Sequence, residues 1–471
     1  MNIISYQYLL FLVIVFFAYY LPGNRYKRYV LTIASLAFYV IGQKSYIFFL
    51  LVSVAVNFLA GLSFQRFPKA KKPLFILSLV FNVGLLLYFK YVGYWLGLIN
   101  PSLHILSGTT VDYLQHLILP IGISFFTFNA IGYTIDVYLQ VTKPEKNIVN
   151  YFVYQSFFPQ VLSGPVARSR KLLPQIMKPH ELDYDNIVSG LRLILFGYFK
   201  KIVIANGLRT YVTAGFDNYT FHNGTTLLFA SVLFFCQLYA DFSGYTDVAL
   251  GTARLFGYNL IANFNKPLFS NSVTDFWRRW HISLSSWVRD YMYYPLYYSL
   301  RNKKEIAFLV STLVTFFIIG MWHGPKANFA IFGLLMFVFI TIENYSTKYF
   351  TLEWGKLTKL VNLFKVLFTF MLMSLCLMFL RADTVGQVRE MIIRIFTSSG
   401  RLFFPKEATF LYGLAGMILL LVAEIASKED EFTVFLKKLQ RYQRWIVYIL
   451  MICILLICGS FNDKDFIYYQ F

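Results

Sequence analysis

Long apolar runs alternate with short polar loops along nearly the whole of this chain. Each run approaches the roughly 20 residues that a helix needs to cross the ~30 Å hydrocarbon core of a bilayer. The pattern predicts an all-α polytopic membrane protein with roughly eleven to twelve spans, in which residues 1–471 form a single transmembrane domain. The predicted spans are about 5–22, 29–42, 45–64, 73–95, 117–139, 187–205, 226–250, 306–322, 328–345, 360–380, 408–426 and 445–460.

One segment between the fifth and sixth runs does not fit a plain span. It reads NYFVYQSFFPQVLSGPVARSRKLLPQ, and Pro159, Gly164 and Pro165 interrupt its helical period. Irregular backbone at membrane depth is tolerated only where protein or a water-filled cavity surrounds it. We therefore expect a re-entrant or interfacial piece that is buried against other helices.

Basic residues cluster in alternate loops, and this pattern predicts the orientation. One cluster occupies residues 25–28 and the next occupies 66–72, whereas the loop Ile99–Gln115 has no Lys or Arg. Because cytoplasmic loops carry an excess of Lys and Arg, we place the two clusters inside and the N-terminus outside. The basic patch 437–444 likewise places the residues after the last span outside. We call those residues, 461–471, the tail.

The composition agrees with a membrane location and narrows the expected partners. The chain is 58% hydrophobic and only 14% charged, yet its formal net charge is +20. In a soluble chain such a charge would suggest nucleic acid, but here the basic residues lie between apolar runs, so we expect acidic membrane lipid and no nucleic acid. The first run has no basic leader and no small-residue cleavage site, so we expect it to be a retained span.

The cysteines give no sign of a metal site or a disulfide framework. All four lie inside apolar runs without metal-ligand spacing, and we interpret them as small core residues. They are Cys236, Cys376, Cys453 and Cys458.

Most of the candidate chemistry lies between Asp275 and Gly324. This stretch opens as DFWRRWHISLSSWVRDYMYYPL and closes as MWHG. An ionisable residue at bilayer depth costs roughly 2.5–3.5 kcal/mol on insertion scales, so such a cluster needs partners, water or a function. The residues that require an explanation are Asp275, Arg278, Arg279, His281, Arg289, Asp290 and His323.

The two histidines are the candidate catalytic groups. His323 lies among Gly320, Gly324 and Pro325, which we expect to interrupt the helical run and turn the imidazole towards a cavity. A neutral imidazole with a pKa near 6.5 can take a proton from an attacking alcohol, which contributes typically 10²–10⁴ in rate. The alternative is a packed histidine hydrogen-bonded between helices. His281 would orient the other histidine, bind substrate or cap a helix.

Two further stretches carry candidate polar side chains. YADFSGYTDVALGTARLFGYN contains Asp241, Asp247 and Arg254. Asp247 and Arg254 are two helical turns apart on one face, and we expect them to pair with charges on other helices, in a structural network or in a substrate site. FPQVLSGPVARSR contains Gln160, Arg168 and Arg170, and its arginines would meet the phosphates of a cytosolic donor or anchor the positive-inside face. Since no Gly-rich phosphate loop, zinc spacing or G-x-S-x-G elbow is present, hydrolases and nucleotide-driven transporters lack support.

Several of these stretches, in this order, resemble the membrane-bound O-acyltransferase family, and in particular its bacterial branch. The resemblance places the family's histidine at His323 and a second polar position of the branch at His281. The matching stretches are Leu119–Tyr138, Phe157–Arg168, Tyr239–Tyr258, Asp275–Leu296, Met321–Gly324, Phe379–Thr384 and FIYYQF within the tail.

The resemblance implies a fold and an activity. The fold would be a ring of transmembrane helices, with re-entrant or interfacial helices, around a central funnel that has His323 at its neck. The activity would be transfer of an acetyl group from a cytosolic thioester, acetyl-CoA, across the inner membrane of a bacterium for O-acetylation of an exported polysaccharide. No bound cofactor is implied. The substrate-binding candidates are Asp275, Arg278, Arg279, Asp241, Asp247, Gln160 and Arg168.

The tail suggests an acyl acceptor. FIYYQF is similar to the end of a small membrane peptide of the teichoic acid D-alanylation system, and the tyrosine that looks to be the acceptor there corresponds to Tyr468. Acetyl-Tyr468 would then pass its acyl group to an extracytoplasmic SGNH-type acetyltransferase. The alternative for Tyr468 is an aromatic anchor at the membrane interface. D-alanyl transfer to teichoic acid and a non-enzymatic transporter or scaffold remain as rival functions, and alginate and peptidoglycan are not distinguished.

Overall fold

The computed structural model describes residues 3–98, 119–349, 355–427 and 432–461, and within these ranges the chain forms helices and no β-strand. The all-α prediction is confirmed. Eight stretches in the described part of the chain are long and apolar enough to cross a membrane, and one of them, Asn24–Arg66, contains two helices. The protein is therefore a multi-pass membrane protein. The count of eleven to twelve spans stays a prediction, and the loop Ile99–Gln115 and the predicted acceptor Tyr468 lie outside the described residues.

The chain divides into two compact units. The first comprises Met1–Leu191 and Ala249–Ile261, and the second comprises Arg192–Val248 and Ala262–Phe471. Helices α8 and α10, defined below, contribute residues to both. The helices that lie wholly in the first unit are α1 (Tyr6–Tyr20), α2 (Lys27–Gln43), α3 (Ile47–Arg66), α4 (Lys71–Leu87), α5 (Ile123–Tyr138), α6 (Ile148–Ser156) and α7 (Ser169–Ile176).

A buried amide cluster joins three helices of the first unit. Asn57 of α3 and Asn82 of α4 donate to each other's side-chain oxygens at 3.1 and 2.7 Å. The hydroxyls of Ser78 and Thr134 also donate to the Asn57 oxygen, at 3.0 and 3.1 Å. Since lipid offers no hydrogen-bond partner, such a cluster sets the helix register where apolar contacts alone would not.

The segment that the sequence marked as broken is irregular and buried. Residues 157–168, between α6 and α7, form no helix, and all of them are buried. The Tyr154 hydroxyl donates to the carbonyl oxygens of Asn129 at 2.9 Å and Ala167 at 3.2 Å, and the Ala167 N–H donates to the Asn129 side chain at 3.0 Å. The prediction of a broken piece buried against protein is confirmed, and its re-entrant or interfacial placement in the membrane stays a prediction.

The second unit holds most of the candidate catalytic and substrate-binding residues. Its longest helix, α10, has 32 residues and extends the predicted 226–250 run at both ends. Its helices, including the two shared with the first unit, are α8 (Tyr184–Tyr198), α9 (Asn206–Asp217), α10 (Gly224–Leu255), α11 (Val273–Arg279), α12 (Ile282–Val288), α13 (Tyr294–Ser299), α14 (Lys304–His323), α15 (Ala327–Tyr349), α16 (Thr358–Arg381), α17 (Val385–Thr397), α18 (Ala408–Ala426), α19 (Phe432–Lys438) and α20 (Arg441–Cys458).

A π-helical turn joins α8 to α9. The segment Phe199–Ala205 has π-helical geometry, so one continuous helix runs from α8 through α9 and extends well beyond the predicted run 187–205. Just before this turn, Gly197 lies against α10, since a Cβ at Gly197 would come within 2.5 Å of the Gly244 carbonyl oxygen. Such close backbone contact brings the side chains of the π turn directly onto α10.

The cysteine prediction is wrong in part. Cys236 and Cys376 are buried, but Cys453 is exposed and Cys458 is partly exposed. Both of the latter lie on α20, of which only 6% is buried inside the protein. A run that is apolar all round does not reveal which face lies against protein and which against lipid.

Candidate functional site

His323 is the last residue of α14 and is buried among aromatic rings. Its side chain is 7% exposed. The imidazole centroid lies 4.9 Å from the Trp322 ring, 6.0 Å from Phe329 and 6.3 Å from Phe332. The last two residues belong to α15, so the α14–α15 hairpin sets the position of this imidazole.

Of the two glycines near His323, Gly320 departs from the prediction and Gly324 agrees with it. Gly320 does not interrupt α14; a Cβ there would come within 2.2 Å of the Phe329 carbonyl oxygen, so its role is to let α15 approach. Gly324 does end the helix. It has φ 159° and ψ −177°, a conformation essentially restricted to glycine, and a Cβ would lie 2.7 Å from the Phe329 ring.

His281 lies between α11 and α12 in a strained conformation. Its φ is 43° and ψ is 51°, in the left-handed region that non-glycine residues rarely adopt. The ring is 2% exposed and packs against the Phe242 ring at 4.8 Å and nearly perpendicular. Burial lowers the pKa of His281 from its ordinary value to about 3, so the imidazole is neutral at physiological pH.

Trp322 brings the two histidines into one site. Its indole centroid lies 6.2 Å from the His281 ring and 4.9 Å from the His323 ring, which limits the separation of the two imidazole centroids to about 11 Å. The sequence singled out both histidines and left orientation of His323 by His281 as one of three alternatives. Trp322 is the shared neighbour that sequence reasoning did not single out.

Two side chains hold the backbone on either side of His281. The Glu343 carboxylate of α15 accepts from the N–H of Val273, from the N–H of Thr274 at 2.9 Å and from the Thr274 hydroxyl at 2.7 Å. On the other side, the backbone carbonyl oxygen of Asn263 accepts a hydrogen bond from the Ile282 N–H at 2.9 Å. The Ser283 N–H donates to the side-chain oxygen of Asn263 at 3.3 Å. These contacts stabilise the turn that carries the strained histidine.

The charged residues of the same stretch are much more exposed than the histidines. Asp275 and Arg279 form an ion pair at 2.9 Å one helical turn apart, with 21% and 34% of the side chains exposed. Arg278 is exposed. These three residues therefore lie at the surface of the unit, and their substrate-binding role stays a prediction.

Asp241 and Asp247 form ion pairs with two adjacent lysines of the π turn. Lys200 contacts Asp247 at 2.7 Å, and Lys201 contacts Asp241 in a pair whose side chains are only 3% and 1% exposed. Asp247 thus pairs with a charge on another helix, as predicted, and Asp241 does so as well. The lysines were missed because 187–205 was interpreted as a plain span; two charges inside an apolar run were the signal.

Gln160 and Arg168 lie in the first unit. Gln160 is 1% exposed, and its side-chain amide donates to the Tyr154 carbonyl oxygen at 3.0 Å, so the observed contact is structural. Arg168 is 9% exposed at the start of α7. Donor binding by either residue stays a prediction.

A cavity of about 150 Å³ lies within the second unit. Its lining is mostly polar and includes Asp241 and Lys201, while Asp241 is followed directly by Phe242, which packs against His281. The lining residues are Lys201, Asn206, Arg209, Val212, Thr213, Asp217, Phe234, Gln237, Asp241 and Arg381. Neither histidine is among them.

A comparison with protein families identifies the chain. A model described as "MBOAT, membrane-bound O-acyltransferase family" matches residues 139–380. The chain belongs to this family. The matched range contains both histidines, the two lysine–aspartate pairs and nine of the ten residues that line the cavity, and the tenth, Arg381, follows it directly. This membrane-bound O-acyltransferase is therefore an acyltransferase enzyme.

Named relatives support the same family. The chain is 32% identical over 394 residues to the "probable alginate O-acetylase AlgI" of Pseudomonas aeruginosa, covering 82% of this chain and 73% of that protein. It is 32% identical over 393 residues to the peptidoglycan O-acetyltransferase of Helicobacter pylori, covering 77% and 72%. The teichoic acid D-alanyltransferase of Bacillus subtilis is 30% identical over 242 residues, covering 50% and 61%.

Proposed function

We propose that this O-acyltransferase moves an acetyl group from a cytosolic thioester, acetyl-CoA, to an acceptor on the outer side of the membrane for O-acetylation of an exported polysaccharide. The O-acetylating relatives support acetyl as the acyl group because they align with about four-fifths of the chain, whereas the D-alanyltransferase aligns with half. An alginate-type or a peptidoglycan-type polymer is the expected final acceptor.

His323 is the proposed general base. The observation that carries this role is a buried imidazole whose position is set by a helix end, a glycine-only turn and three aromatic rings. Exclusion of water favours transfer of the acyl group to the acceptor's oxygen rather than hydrolysis of the thioester. His281, neutral and in contact with the same indole, positions Trp322 and through it the base.

The proposed first acceptor is the Tyr468 phenol, which lies outside the described residues. His323 takes the phenolic proton, the phenolate oxygen bonds to the acetyl carbonyl carbon, the C–S bond breaks, and the imidazolium returns the proton to the departing thiolate. The aryl ester is activated because a phenol with a pKa of about 10 is a good leaving group. Tyr468 follows Ser460 by eight residues, a reach of up to ~28 Å when extended.

The remaining assignments follow from this chemistry. We place the enzyme in the inner membrane of a bacterium with the tail outside, in agreement with the basic loops. An extracytoplasmic SGNH-type acetyltransferase is the proposed partner that would receive the acetyl group from Tyr468. Arg278, Arg279 and Arg168 remain candidates for contacts with the phosphates of the donor, since guanidinium groups bind phosphate well. Asp275 remains a candidate through its ion pair with Arg279.

Mass spectrometry of the tail peptide tests the proposal. After incubation of the purified enzyme with isotope-labelled acetyl-CoA, we expect a labelled acetyl group on Tyr468 in the intact protein and none in the His323→Ala or Tyr468→Phe variants. Tyr469→Phe is the matched control and should retain the label. Normal polymer acetylation by Tyr468→Phe would refute the tail as carrier, and a labelled tail in His323→Ala would refute the base.

D-alanyl transfer is the second candidate, and the alignment with the Bacillus subtilis protein is the observation in its favour. The same experiment decides between them when a D-alanyl thioester replaces acetyl-CoA. Label on Tyr468 from the D-alanyl donor alone would reverse the order of the two candidates.

A further inference from the structure

The cavity of the second unit lies between α9 and α10 and runs from the surface into the interior. Asp217 and Arg381 line its exposed part and form an ion pair at 2.6 Å, with 48% and 21% of the side chains exposed. Lys201 and Asp241 line its buried part, and their side chains are only 3% and 1% exposed. The cavity is therefore a pocket with an exposed mouth and a buried end.

Gln237 gives the buried part of the cavity an unsatisfied polar group. This glutamine of α10 lines the cavity and is 4% exposed. Its amide has two N–H donors and a carbonyl acceptor, yet it makes no hydrogen bond to any residue that the structure describes. Burial of an amide without a partner costs free energy, so a molecule inside the cavity must satisfy it.

The charged groups of the lining already have partners. Lys201 pairs with Asp241 and Arg381 pairs with Asp217, while Arg209 has an interaction of its own. An ionic ligand is therefore not required to balance the lining. The unsatisfied amide instead favours a neutral ligand with groups that both donate and accept hydrogen bonds, and hydroxyls do both.

The uncharged lining combines hydrogen-bonding and apolar groups. The Gln237 amide and the Thr213 hydroxyl are the polar groups, and Val212 and Phe234 are apolar. Ligand pockets commonly place a few polar groups in an apolar wall, where they fix the orientation of the ligand. A sugar ring has matching surfaces, because its hydroxyls project from the edge and its C–H groups form the faces.

The volume suits one ring of a sugar polymer. The cavity measures about 150 Å³, and an apolar cavity of that volume is known to hold benzene, which is also a six-membered ring. Because the mouth is exposed, the neighbouring units of a polymer can continue outside the cavity. One pyranose unit inside and the rest of the chain outside is the arrangement that fits.

The cavity lies at the ends of three membrane helices. Arg381 in its lining is the last residue of α16. On α9, a Cβ at Gly207 would come within 2.7 Å of the Thr409 carbonyl oxygen at the start of α18. The Asn206 side-chain amide, also in the lining, donates to the Ser460 carbonyl oxygen at 2.7 Å, just after α20. The predicted orientation places these three helix ends on the outer side of the membrane.

We infer that this cavity binds one sugar unit of the exported polysaccharide, with the Gln237 amide and the Thr213 hydroxyl as hydrogen-bond partners of the ring hydroxyls. This inference rests on the proposed function, in which an exported polysaccharide is the final acceptor. It adds to that function a site at which the polymer meets the enzyme.

The mouth of the cavity is joined to the hairpin that carries His323. The Asn328 side-chain amide of α15 donates to the Ala382 carbonyl oxygen at 2.8 Å. Ala382 follows Arg381 of the mouth, and Asn328 precedes Phe329, whose ring lies 6.0 Å from the His323 ring. A polymer bound in the cavity would therefore lie beside the helix ends that position the proposed base.

Binding of defined oligosaccharides tests the inference in the full-length enzyme. Saturation-transfer NMR on the enzyme in lipid nanodiscs measures the affinity for a tetramannuronate, which represents an alginate-type polymer. A tetramer of N-acetylglucosamine represents a peptidoglycan-type polymer. We expect at least one of the two to bind, and the one that binds identifies the polymer type. If neither binds, the inference is overturned.

Two substitutions locate the bound sugar. Gln237→Leu removes the amide at similar size, and we expect the affinity to fall about tenfold because two neutral hydrogen bonds are lost. The matched control is Gln65→Leu, at an exposed position of α3. Thr213→Val should lower the affinity about fivefold, whereas Thr210→Val, on the same helix but outside the lining, should not change it. Unchanged binding in both cavity variants would place the sugar elsewhere and refute the site.

The melting temperature without sugar separates a ligand-binding amide from a structural one. Gln237 makes no hydrogen bond to the described protein, so Gln237→Leu should melt at or above the temperature of the unmodified enzyme. A fall of several degrees would show that the amide supports the fold and would contradict the assignment.

Labelling of the tail separates this inference from the proposed function. Sugar binding requires neither the acetyl donor nor the phenol, so it should be normal in Tyr468→Phe. Sugar binding by an enzyme that transfers no acetyl group would refute the proposed function and leave the site. An acetyl label on Tyr468 in an enzyme that binds neither oligosaccharide would refute the site alone.

Discussion

At the scale of single residues, the histidines differ in how their positions are stabilised. His323 needs a helix end and a neighbouring glycine, whereas His281 adopts a left-handed conformation that costs of order 1–3 kcal/mol. Hydrogen bonds from Thr274 to Glu343 and from Ser283 to Asn263 hold the turn in spite of that cost. Strain that the surroundings maintain is typical of functional sites, and it supports a role for His281 in positioning the catalytic base.

The buried imidazole of His281 predicts a pH-dependent stability. Its folded-state pKa of about 3 is below the ordinary value near 6.5, so the unfolded chain binds a proton that the folded protein excludes. The neutral imidazole makes its full contribution to the free energy of unfolding above pH 6.5. This contribution is lost at about 1.4 kcal/mol per pH unit as the pH falls towards 3. Thermal unfolding in detergent at pH 7.5, 6.0 and 5.0 measures it.

The control for this prediction is His281→Gln, which does not titrate. We expect its melting temperature to fall less than that of the unmodified protein between pH 7.5 and 5.0. Parallel curves for the two proteins would show that folding does not lower the pKa of His281.

At the scale of secondary structure, the π turn is the element that the sequence did not reveal. The apolar run was recognised, but the extra residue per turn and the lysine positions were not. The geometry places Lys200 on Asp247 and Lys201 on Asp241, which are six residues apart on α10. Because periodicity alone does not distinguish π from α geometry over seven residues, packing against α10 was required to define it.

The Lys201–Asp241 pair predicts a large cost for removing one partner. Lys201→Met leaves a carboxylate that is 1% exposed without that counter-ion, and we expect a loss of about 3–5 kcal/mol. The double variant Lys201→Met/Asp241→Asn should recover much of the lost stability, because neither buried charge of this pair then remains. Chemical denaturation in detergent or a thermal shift measures both.

The matched control is an exposed pair of the same kind. Lys348 and Glu305 are 52% and 62% exposed and contact each other at 2.9 Å. Lys348→Met should cost far less than Lys201→Met, because solvent screens an exposed ion pair. A similar cost for the two lysine variants would mean that the Lys201–Asp241 pair contributes no more than a surface ion pair.

At the scale of the whole molecule, the alternation of basic loops predicts an orientation. The eight apolar stretches establish a multi-pass protein, but length and composition do not state which side each loop occupies. The basic loops indicate the side, because loops rich in Lys and Arg are retained in the cytoplasm. The proposed function requires this orientation, since the tail must face an acceptor on the outer side.

Cysteine labelling tests the orientation. In a variant without the native cysteines, Lys69→Cys and Phe461→Cys place thiols at two exposed positions. An impermeant maleimide should label Phe461→Cys in intact spheroplasts and Lys69→Cys only after permeabilisation. The opposite result would place the tail in the cytoplasm and exclude its acceptor role.

The sequence by itself determined the helical class, most of the spans, the irregular buried piece before Arg168 and the identity of the two histidines. Apolar runs and isolated charges are local properties, and the bilayer makes their meaning nearly unambiguous. Only the tertiary structure decided that Trp322 joins the histidines, that Lys201 pairs with Asp241 and that the cavity lies beside Ser460. These facts depend on which faces of distant helices meet, and lipid-facing and protein-facing surfaces are equally apolar, so no pattern along the chain specifies them.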